Sequence, residues 1–399
     1  MPQVFFANGK SSGLEIMSPR ANQISLGDPV PWFSARSFAG EKIELHLSAG
    51  RWVLLAFLEP VAAQRAQLRL ASLSKLAASC PEDHLVIYAV LSSPANIEHL
   101  LALARPTLKF ITDYDGSIAA PYGDPGVPRS VVLDPMLRAV ANIPSEPGLD
   151  HDRILDRFLL DLPAIDNSAG VPLTAPILIV PRVFDFPLCE HLIAVFEKIG
   201  GNDSGFLVGQ DGRPATIIDH SRKSRQDLLI VSPDLRQIIR ERIVKRLLPA
   251  IEIYFQFKAT HMDRYIVACY DSAVGAHFLR HRDNMNPGVE HRRFAVSLNL
   301  NSNYEGCDLI FPEFGSRSYR GPAGGAIVFS CGALHEVRPI TKGKRYAFLP
   351  FLYGESDLKK SLENEVLLQQ IGIDYRANQH ALHDPKPTDP DASSATKLL

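Results

Sequence analysis

The residues with the clearest chemical potential lie close together in the second half of the chain. His281 and Asp283 are separated by a single residue. On a β-strand, residues i and i+2 project to the same face, so one imidazole and one carboxylate can hold the same ion. A metal needs at least a third ligand, and His335, which follows an apolar segment at 326–330, is the strongest candidate. The pattern predicts a metal site made of His281, Asp283 and His335.

Two histidines and one carboxylate on one face of an ion leave the opposite positions open, which is typical of non-haem Fe(II) oxygenases. An iron site of this kind needs a second substrate that delivers electrons to O2. If that substrate is 2-oxoglutarate, its far carboxylate requires a cation. Arg345 lies just beyond the turn at 341–343, and its guanidinium can bind a carboxylate through two hydrogen bonds. A hairpin at this turn would bring Arg345 beside His335.

Several segments around these residues occur in a specific order: 268–270 (Ala-Cys-Tyr), 281–284, 304–315, 324–329 and 335–346. With them, residues 175–354 resemble the prolyl 4-hydroxylase-like branch of the Fe(II)/2-oxoglutarate dioxygenases. The resemblance implies that His281, Asp283 and His335 bind the metal and that Arg345 and Tyr270 bind the cosubstrate. The family usually has two glycines after Tyr-Glu, and here the second is Cys307, away from the metal.

The resemblance also predicts the fold and the reaction. The fold is an α+β double-stranded β-helix, or jelly roll. The reaction uses Fe(II), 2-oxoglutarate and O2 to hydroxylate a substrate, with release of succinate and CO2, and ascorbate stays open as a reductant. The substrate is either a peptidyl proline or a small molecule. The polar segments 202–224 and 284–291 are expected to be loops that contact it.

Another histidine–x–aspartate pair, His261 and Asp263, has the same spacing as the first. By spacing alone either pair could bind a metal. Position favours His281, which follows a glycine-containing turn downstream of Tyr270, whereas His261 precedes the strand that carries Tyr270. His277 and His291 are expected to lie near the site or on the surface rather than to bind the metal.

The elements that must position these residues can be read from the apolar pattern of the second half. Helices and then strands with glycine-rich breaks are typical of an antiparallel sandwich or barrel. We predict helices at 188–199, 233–251 and 356–370, and strands at 295–300, 308–311, 326–330 and 345–352. The polar tail from residue 376 is expected to be unstructured.

The first half alternates short apolar runs with segments of helical spacing, which predicts an α/β sheet. We predict strands at 52–58, 85–91, 110–113 and 130–134, and helices at 64–78, 94–104 and 153–162. The last helix interrupts a proline-rich stretch at 144–176, which marks the boundary between the halves.

Residues 26–143 of this half resemble the thioredoxin-like peroxiredoxins through the segments 26–33, 52–58, 111–116, 122–123 and 128–134. When the family's PxxxTxxC motif is aligned from Pro60, Gln64 replaces the threonine and Gln67 replaces the peroxidatic cysteine. Arg129 matches the family's arginine. An amide cannot act as the thiolate nucleophile, so this half is predicted not to be a peroxidase. Cys80, at the end of a helix, is a poor substitute.

Composition limits the remaining classes. The chain has 399 residues, 46% of them hydrophobic, and a formal net charge of -2. These values predict more than one folded domain and give no reason to expect nucleic acid or a membrane as partner. Five cysteines at wide spacing and no secretory signal near the start favour the cytoplasm.

The sequence therefore predicts four parts: a degenerate peroxiredoxin-like domain (22–146), a linker (147–175), a dioxygenase domain (176–355) and a helix with a disordered tail (356–399). Substrate capture, formation of a homodimer and rigid support of the dioxygenase domain are all compatible roles for the first part. The alternative to an enzyme is a sensor or scaffold that binds 2-oxoglutarate or iron without turnover and uses the first part to hold a partner.

Overall fold

A computed structural model describes residues 24–58, 64–92, 97–145, 150–210, 213–369 and 379–382. The chain divides into two compact units, Met1–Ala175 with Phe311–Arg317, and Pro176–Ile310 with Ser318–Leu399. The N-terminal stretch, in which no secretory signal is expected, lies outside the described residues, as do positions 60–63 of the aligned PxxxTxxC motif. Within the described ranges, no helix is both long and apolar enough to cross a bilayer.

The first unit is built on a mixed sheet with the order β5-β4-β3-β6-β7. Strands β3, β4 and β5 are parallel, and β6 and β7 run antiparallel to their neighbours. The strands are β1 Ser34–Arg36, β2 Lys42–Glu44, β3 Trp52–Leu58, β4 Leu85–Leu91, β5 Leu108–Thr112, β6 Arg129–Leu133 and β7 Ala139–Pro144. The helices are α1 Gln64–Ser79, α2 Ile97–Leu103 and α3 His151–Leu160.

The apolar runs explain why β3 and β4 occupy the middle of this sheet. All seven residues of each strand are buried, as expected for strands covered on both faces. Helix α1 buries Leu70 and Leu73 against the apolar cluster that includes Leu54 and Ile87. The predicted α/β sheet is thus present. The bounds of its four predicted strands differ from the prediction by at most two residues, and its fifth strand, β7, was not predicted.

The second unit contains four helices and nineteen strands among the described residues. The helices are α4 Phe186–Ile199, α5 Pro233–Arg246, α6 Leu248–Phe255 and α7 Leu358–Gln369. The strands up to the middle of the unit are β8 Leu178–Val180, β9 Asn202–Asp203, β10 Phe206–Gln210, β11 Arg213–Ile217, β12 Lys223–Ser224, β13 Gln226–Leu229, β14 His261–Asp263, β15 Ile266–Asp271, β16 His277–His281 and β17 Phe294–Asn299. The others are β18 Glu305–Gly306, β19 Leu309–Ile310, β20 Ser318–Tyr319, β21 Ala326–Ser330, β22 His335–Val337, β23 Ile340–Lys342, β24 Lys344–Phe348, β25 Phe351–Tyr353 and β26 Gln379–Ala381.

Two antiparallel sheets form the jelly roll of this unit. The major sheet has the order β26-β14-β25-β17-β24-β15-β13-β9, with β21 paired to β17 and to β8. The minor sheet has the order β12-β16-β22-β19-β20. Two small antiparallel pairs, β10–β11 and β18–β23, complete the pairing. The jelly roll predicted for the C-terminal region is confirmed.

Alternation along the major sheet separates the apolar core from the cavity that holds the candidate site. In β15, Val267 and Cys269 belong to the apolar cluster formed with helices α4, α5 and α6. Tyr270, which points to the other face, lines the cavity. In β24, Tyr346 and Phe348 face the same core, and Arg345 lines the cavity. One face of each strand therefore anchors the sheet, while the other carries the chemistry.

Some predicted elements were wrong. The single helix at 233–251 is two helices, because the chain breaks at Leu247, just before Pro249. The strand at 345–352 is interrupted at Pro350, which has no N–H for the ladder. The segment 202–224, expected to be a loop, contains an antiparallel strand pair. In the tail, β26 pairs with β14, although most of that predicted disordered segment lies outside the described residues.

Candidate metal and cosubstrate site

The two candidate histidine ligands are neighbours across the minor sheet. His281 ends β16 and His335 begins β22, and the two residues are directly paired in the antiparallel register. The centroids of their rings are 4.2 Å apart. Residues paired across adjacent strands project to the same face, which explains how two positions distant in sequence reach one point.

Both imidazoles are held in a single tautomer. Nδ1 of His281 donates to the backbone carbonyl of Leu279 at 2.7 Å, and Nδ1 of His335 donates to that of Ala333 at 3.0 Å. A carbonyl can only accept, so Nδ1 carries a proton, and in a neutral imidazole so placed Nε2 keeps its lone pair. This backbone contact is the usual way in which proteins orient a metal-binding histidine.

Asp283 supplies the carboxylate between the two rings. Its oxygens lie 3.6 Å from Nε2 of His281 and 3.4 Å from Nε2 of His335. Its backbone N–H donates to the carbonyl of Cys331 at 2.9 Å, which fixes the loop that follows β16. One donor atom of each residue lies within 4.8 Å of the other two, and no further cluster of this kind occurs in the described ranges.

The charge states suit a divalent cation. Burial would raise the pKa of Asp283, but the nearby His335 and His281 outweigh it and hold the pKa well below its usual range. Burial, together with His281, lowers the pKa of His335 to about 4. At neutral pH the site therefore offers a carboxylate and a neutral imidazole at His335. Together with the free Nε2 of His281, this is a donor set that fits Fe(II).

Arg345 is a buried cation in the same cavity, with 3% of its surface exposed. Its Nε donates to Oδ1 of Asn299 at 2.9 Å, and its Nη2 donates to Oγ of Ser297 at 2.7 Å. Both acceptors are neutral, and no carboxylate in the described part of the chain forms an ion pair with it. A buried guanidinium without a counter-charge is costly, so the geometry is suited to an anionic ligand.

Tyr270 lies beside Arg345, with its ring centroid 5.3 Å from the guanidinium carbon. Its hydroxyl accepts a hydrogen bond from Nη1 of Arg225 at 3.3 Å. Arg225 in turn forms an ion pair with Asp227 at 2.7 Å. The tyrosine that the sequence selects is thus oriented by a buried arginine that the sequence analysis did not select.

One open cavity brings all five predicted residues together. The five candidate residues that line it are Tyr270, His281, Asp283, His335 and Arg345. The apolar side chains of its lining include those of Phe278, Leu309, Phe329 and Phe351. Of the two segments expected to contact substrate, 202–224 contributes Lys223 to the lining, whereas 284–291 contributes none of the described lining residues.

The predicted route by which Arg345 reaches the site was wrong. Strand β22, which carries His335, belongs to the minor sheet, and β24, which carries Arg345, belongs to the major sheet. The turn before Arg345 therefore carries the chain from one sheet to the other and does not close a β22–β24 hairpin. The two residues meet because both sheets line the same cavity.

The second histidine–x–aspartate pair has a structural role. His261 stacks on Tyr353 with ring centroids 5.2 Å apart. Asp263 is fully buried and accepts a hydrogen bond from Nε of Arg292 at 2.9 Å. These contacts hold His261 and Asp263 in the packing around β14. They therefore leave His281 and Asp283 as the histidine–x–aspartate pair within the three-residue cluster.

Sequence reasoning missed the polar residues that hold Arg345. Ser297 and Asn299 lie on alternate positions of β17, and no motif marks them. The departure at Cys307 also lies closer to the chemistry than expected, because its sulfur is 3.7 Å from Nη1 of Arg345. Cys307 has a φ of 59°, in the left-handed region where glycine is unstrained, which explains the glycine usual at this position.

Residues 265–353 match the model of the 2OG-Fe(II) oxygenase superfamily. The matched range runs from β15 to β25 and contains all five candidate residues. This part of the chain is therefore similar to the 2OG-Fe(II) oxygenase superfamily, and the five candidate residues lie within the similar segment.

Curated proteins that are similar to this chain include PKHD-type hydroxylases. The chain is 27% identical over 163 residues to a PKHD-type hydroxylase of Synechococcus sp. (strain CC9902), a match that covers 39% of this chain and 69% of the relative. It is 34% identical over 113 residues to a PKHD-type hydroxylase of Paraburkholderia phymatum, covering 26% of this chain and 49% of the relative. The chain thus spans between half and about two thirds of these relatives.

Among solved structures, a Pseudomonas putida prolyl-4-hydroxylase aligns with 47% of this chain and 95% of its own, at 19% identity and a TM-score of 0.36.

Proposed function

We propose that the protein is a hydroxylase that uses Fe(II), 2-oxoglutarate and O2, with release of succinate and CO2. His281, Asp283 and His335 bind the iron, and Arg345 and Tyr270 bind 2-oxoglutarate. The observation that carries the proposal is the buried guanidinium of Arg345, without a counter-charge, in the same cavity as a three-residue metal-binding cluster.

When bound, the iron supplies the oxygen chemistry that converts a C–H bond into a C–OH bond. The side chains of this protein prepare that chemistry by position and charge. His281 and His335 present fixed Nε2 lone pairs, and Asp283 supplies one negative charge. Arg345 orients the far carboxylate of 2-oxoglutarate. Apolar side chains such as Phe329 and Leu309 limit the access of water to the reacting atoms.

The proposal covers two substrate classes, peptidyl proline and small molecules, with hydroxylation as the reaction in both. Ascorbate is included as a reductant. All five cysteines are free, which supports a reducing compartment such as the cytoplasm. The chemistry of the site calls for 2-oxoglutarate, O2 and one substrate, and for neither nucleic acid nor a membrane.

The test is succinate formation from 2-oxoglutarate in the presence of Fe(II), O2 and ascorbate, with a panel of prolyl peptides and small molecules. We expect formation to fall to background in His281→Ala and in Asp283→Ala. His261→Ala is the matched control because it removes the histidine of the other histidine–x–aspartate pair, and it should keep the activity. Turnover in the first two variants at the wild-type level would refute the proposal. Tight binding of 2-oxoglutarate without O2 consumption would instead favour the sensor or scaffold.

For the first unit we infer a thioredoxin-like frame that has lost peroxidase chemistry. The support is the mixed sheet with parallel β3 and β4 and antiparallel β6, together with an exposed Gln67 where the family has its nucleophile. Partner capture and self-association are the roles that fit a folded unit without a nucleophile.

A further inference from the structure

The cavity that holds the metal cluster carries more positive charge than iron and 2-oxoglutarate require. Besides Arg345, its lining contains Lys223, Arg225 and Arg264. Arg225 is accounted for, because it forms an ion pair with Asp227 and donates to the hydroxyl of Tyr270. Lys223 and Arg264 have no such assignment.

Lys223 is a buried ammonium with neutral partners. Only 5% of its surface is exposed, and its Nζ donates to Oγ of Ser204 and to the carbonyl of Gly205, both at 2.7 Å. No carboxylate in the described ranges forms an ion pair with it. An ammonium has three N–H donors, so one stays available for a ligand in the cavity.

Lys223 is also close to the metal cluster. Its strand pairs with β16, where Lys223 lies opposite Phe278. Nζ is 4.9 Å from the centroid of the Phe278 ring, and that ring stacks on the imidazole of His281 with centroids 3.5 Å apart. The ammonium and a predicted iron ligand thus contact the same aromatic ring. A group bound by Lys223 would therefore lie near the reacting atoms.

Arg264 is held in an unusual way at the same cavity. Its Nε is buried and finds no acceptor in the described part of the chain, while its guanidinium carbon lies 4.8 Å from the centroid of the Phe351 ring. Its φ of 67° is in the left-handed region, which is uncommon for a long side chain. Backbone strain of this kind clusters at functional sites, where the surrounding structure maintains it.

The charges leave a deficit of anions. The charges of bound Fe(II), the 2-oxoglutarate dianion, Asp283 and Arg345 sum to zero, and Asp227 compensates Arg225. Lys223, which is buried, and Arg264, which is half-buried with a buried Nε, then remain as cations without an ion pair in the described ranges, a costly arrangement unless a ligand brings the negative charge. Burial and the neighbouring Arg225 lower the pKa of Lys223 well below its usual value, an effect that an arriving anion would oppose.

We propose that the substrate of this protein carries an anionic group, a carboxylate or a phosphate, and that Lys223 and Arg264 bind it beside the iron. This inference rests on the proposed function and names the substrate class for the same cavity. Acidic substrates are hydroxylated next to their charged group, and neutral analogues such as the corresponding amides are poor substrates.

The test uses the full-length protein and two small probes, inorganic phosphate and acetate. Their binding is measured by calorimetry or NMR under anaerobic conditions, before and after saturation with Fe(II) and 2-oxoglutarate. We expect the saturated wild type to bind one equivalent of anion. Lys223→Met should weaken this at least ten-fold while its affinity for 2-oxoglutarate stays within two-fold of the wild type. The tighter of the two probes identifies the chemistry of the group.

Two further variants separate a lost contact from a damaged fold. Lys223→Arg keeps the charge and should retain anion binding, whereas Lys75→Met removes an exposed lysine of the first unit and should bind as the wild type does. Absence of anion binding to the saturated wild type, or equal binding in Lys223→Met, overturns the inference. If 2-oxoglutarate itself does not bind, the proposed function fails. The anion titration in the absence of 2-oxoglutarate still shows whether Lys223 binds an anion.

Discussion

At the scale of single residues, neutral neighbours orient the charged side chains of the site. They accept some of the N–H donors and leave the others directed at the ligand. Arg345 is the clearest case, because Asn299 and Ser297 take one donor each from Nε and Nη2 and thereby fix the plane of the guanidinium. Because the guanidinium is already fixed in one plane, it loses less conformational entropy on binding a carboxylate than a freely rotating ammonium would. We therefore expect Arg345 to contribute a fixed hydrogen-bonding geometry to ligand binding in addition to its positive charge.

This argument predicts the outcome of Arg345→Lys. The charge stays, but the lysine cannot contact both Asn299 and Ser297 while it binds the carboxylate through two parallel hydrogen bonds. We expect the KM for 2-oxoglutarate to rise about 30-fold, about 2 kcal/mol, with a much smaller change in kcat. The measurement is a steady-state titration with 2-oxoglutarate. Lys344→Gln, at the exposed neighbouring position, is the control and should leave KM unchanged; an equal change in both variants would contradict the assignment.

The residues that a sequence can reveal are those whose spacing is local. His281 and Asp283 are two positions apart, so strand geometry alone places them on one face. Ser297 and Asn299 contact Arg345 only because β17 pairs with β24 in one particular register. Nothing in a single sequence fixes that register, which is why the neutral partners of Arg345 could not be predicted.

At the scale of elements, helix α4 illustrates how local sequence fixes the support of the major sheet. Asp185 caps its N-terminus by accepting from the backbone N–H of Leu188, and Pro187 follows in the first turn. The same carboxylate accepts from Nε of Arg242 on α5 at 3.0 Å. One aspartate thus starts a helix and joins it to its neighbour, and the hydrogen bond to Arg242 lowers its pKa.

We predict that Asp185→Ala loosens the first turn of α4. Loss of an N-cap typically costs about 1 kcal/mol, which corresponds to roughly five-fold faster amide exchange where local opening controls the rate. Hydrogen–deuterium exchange of peptides that cover α4 measures the effect. Glu190→Ala, an exposed position of the same helix, serves as the control. If both variants exchange at the wild-type rate, the cap does not contribute.

Helix α7 is joined to the rest of the second unit by a buried histidine. His291 is 1% exposed, its Nδ1 lies 3.0 Å from Nδ2 of Asn364 on α7, and its ring packs edge-on against Tyr353. Nδ2 can only donate, so Nδ1 is an acceptor and the imidazole is neutral. Burial lowers the pKa of His291 to about 4, against an ordinary value near 6.5.

The sign of the pH effect follows from this difference. Between pH 6.5 and 4 the unfolded chain binds a proton at His291 and the folded chain does not, so acid favours unfolding. The stability present above pH 6.5 should fall by about 3 kcal/mol by pH 4, on the scale of 1.4 kcal/mol per pKa unit. Urea unfolding followed by circular dichroism at several pH values tests this. His291→Gln should be less stable at pH 7.5 but should lose less on acidification; an unchanged pH slope in this variant would disprove the assignment.

The helices and strands were predictable where a continuous local pattern, such as an apolar run without a proline, determines them. The apolar runs of β3 and β4 gave their bounds without error, whereas the two merged elements at 233–251 and 345–352 each contain a proline whose breaking effect was underestimated. Strand β26 was missed for another reason. Its residues are polar, and they form a strand only because the edge of β14 is available for pairing far away in sequence.

At the scale of the whole molecule, the chain joins a unit that carries the proposed metal and cosubstrate site to one that, in our proposal, has an amide at position 67 where the peroxiredoxins have their nucleophile. The length of the sequence predicted more than one domain, and its balanced charge gave no reason to expect nucleic acid or a membrane as partner, but neither could assign chemistry to a domain. In the first unit, one arginine shows whether the surroundings of a peroxidatic cysteine are present. Arg129 donates to the backbone carbonyls of Tyr122 at 2.6 Å and Asp124 at 3.2 Å, and is therefore used in holding a loop.

The last prediction follows from this environment. A peroxidatic cysteine needs a nearby cation that stabilises its thiolate, and the guanidinium of Arg129 is directed to carbonyls while position 67 is exposed. Gln67→Cys should therefore introduce an ordinary thiol, with a pKa of about 8.5, and no peroxide reduction above that of the wild type, in which the half-buried Cys80 provides the background. The pH dependence of alkylation and the consumption of hydrogen peroxide measure the two properties. A thiol pKa well below 7 together with rapid peroxide consumption would mean that the unit keeps a peroxidase site that lacks only its sulfur. An ordinary thiol would mean that the surroundings of the nucleophile have been lost as well, which leaves binding as the function of the unit.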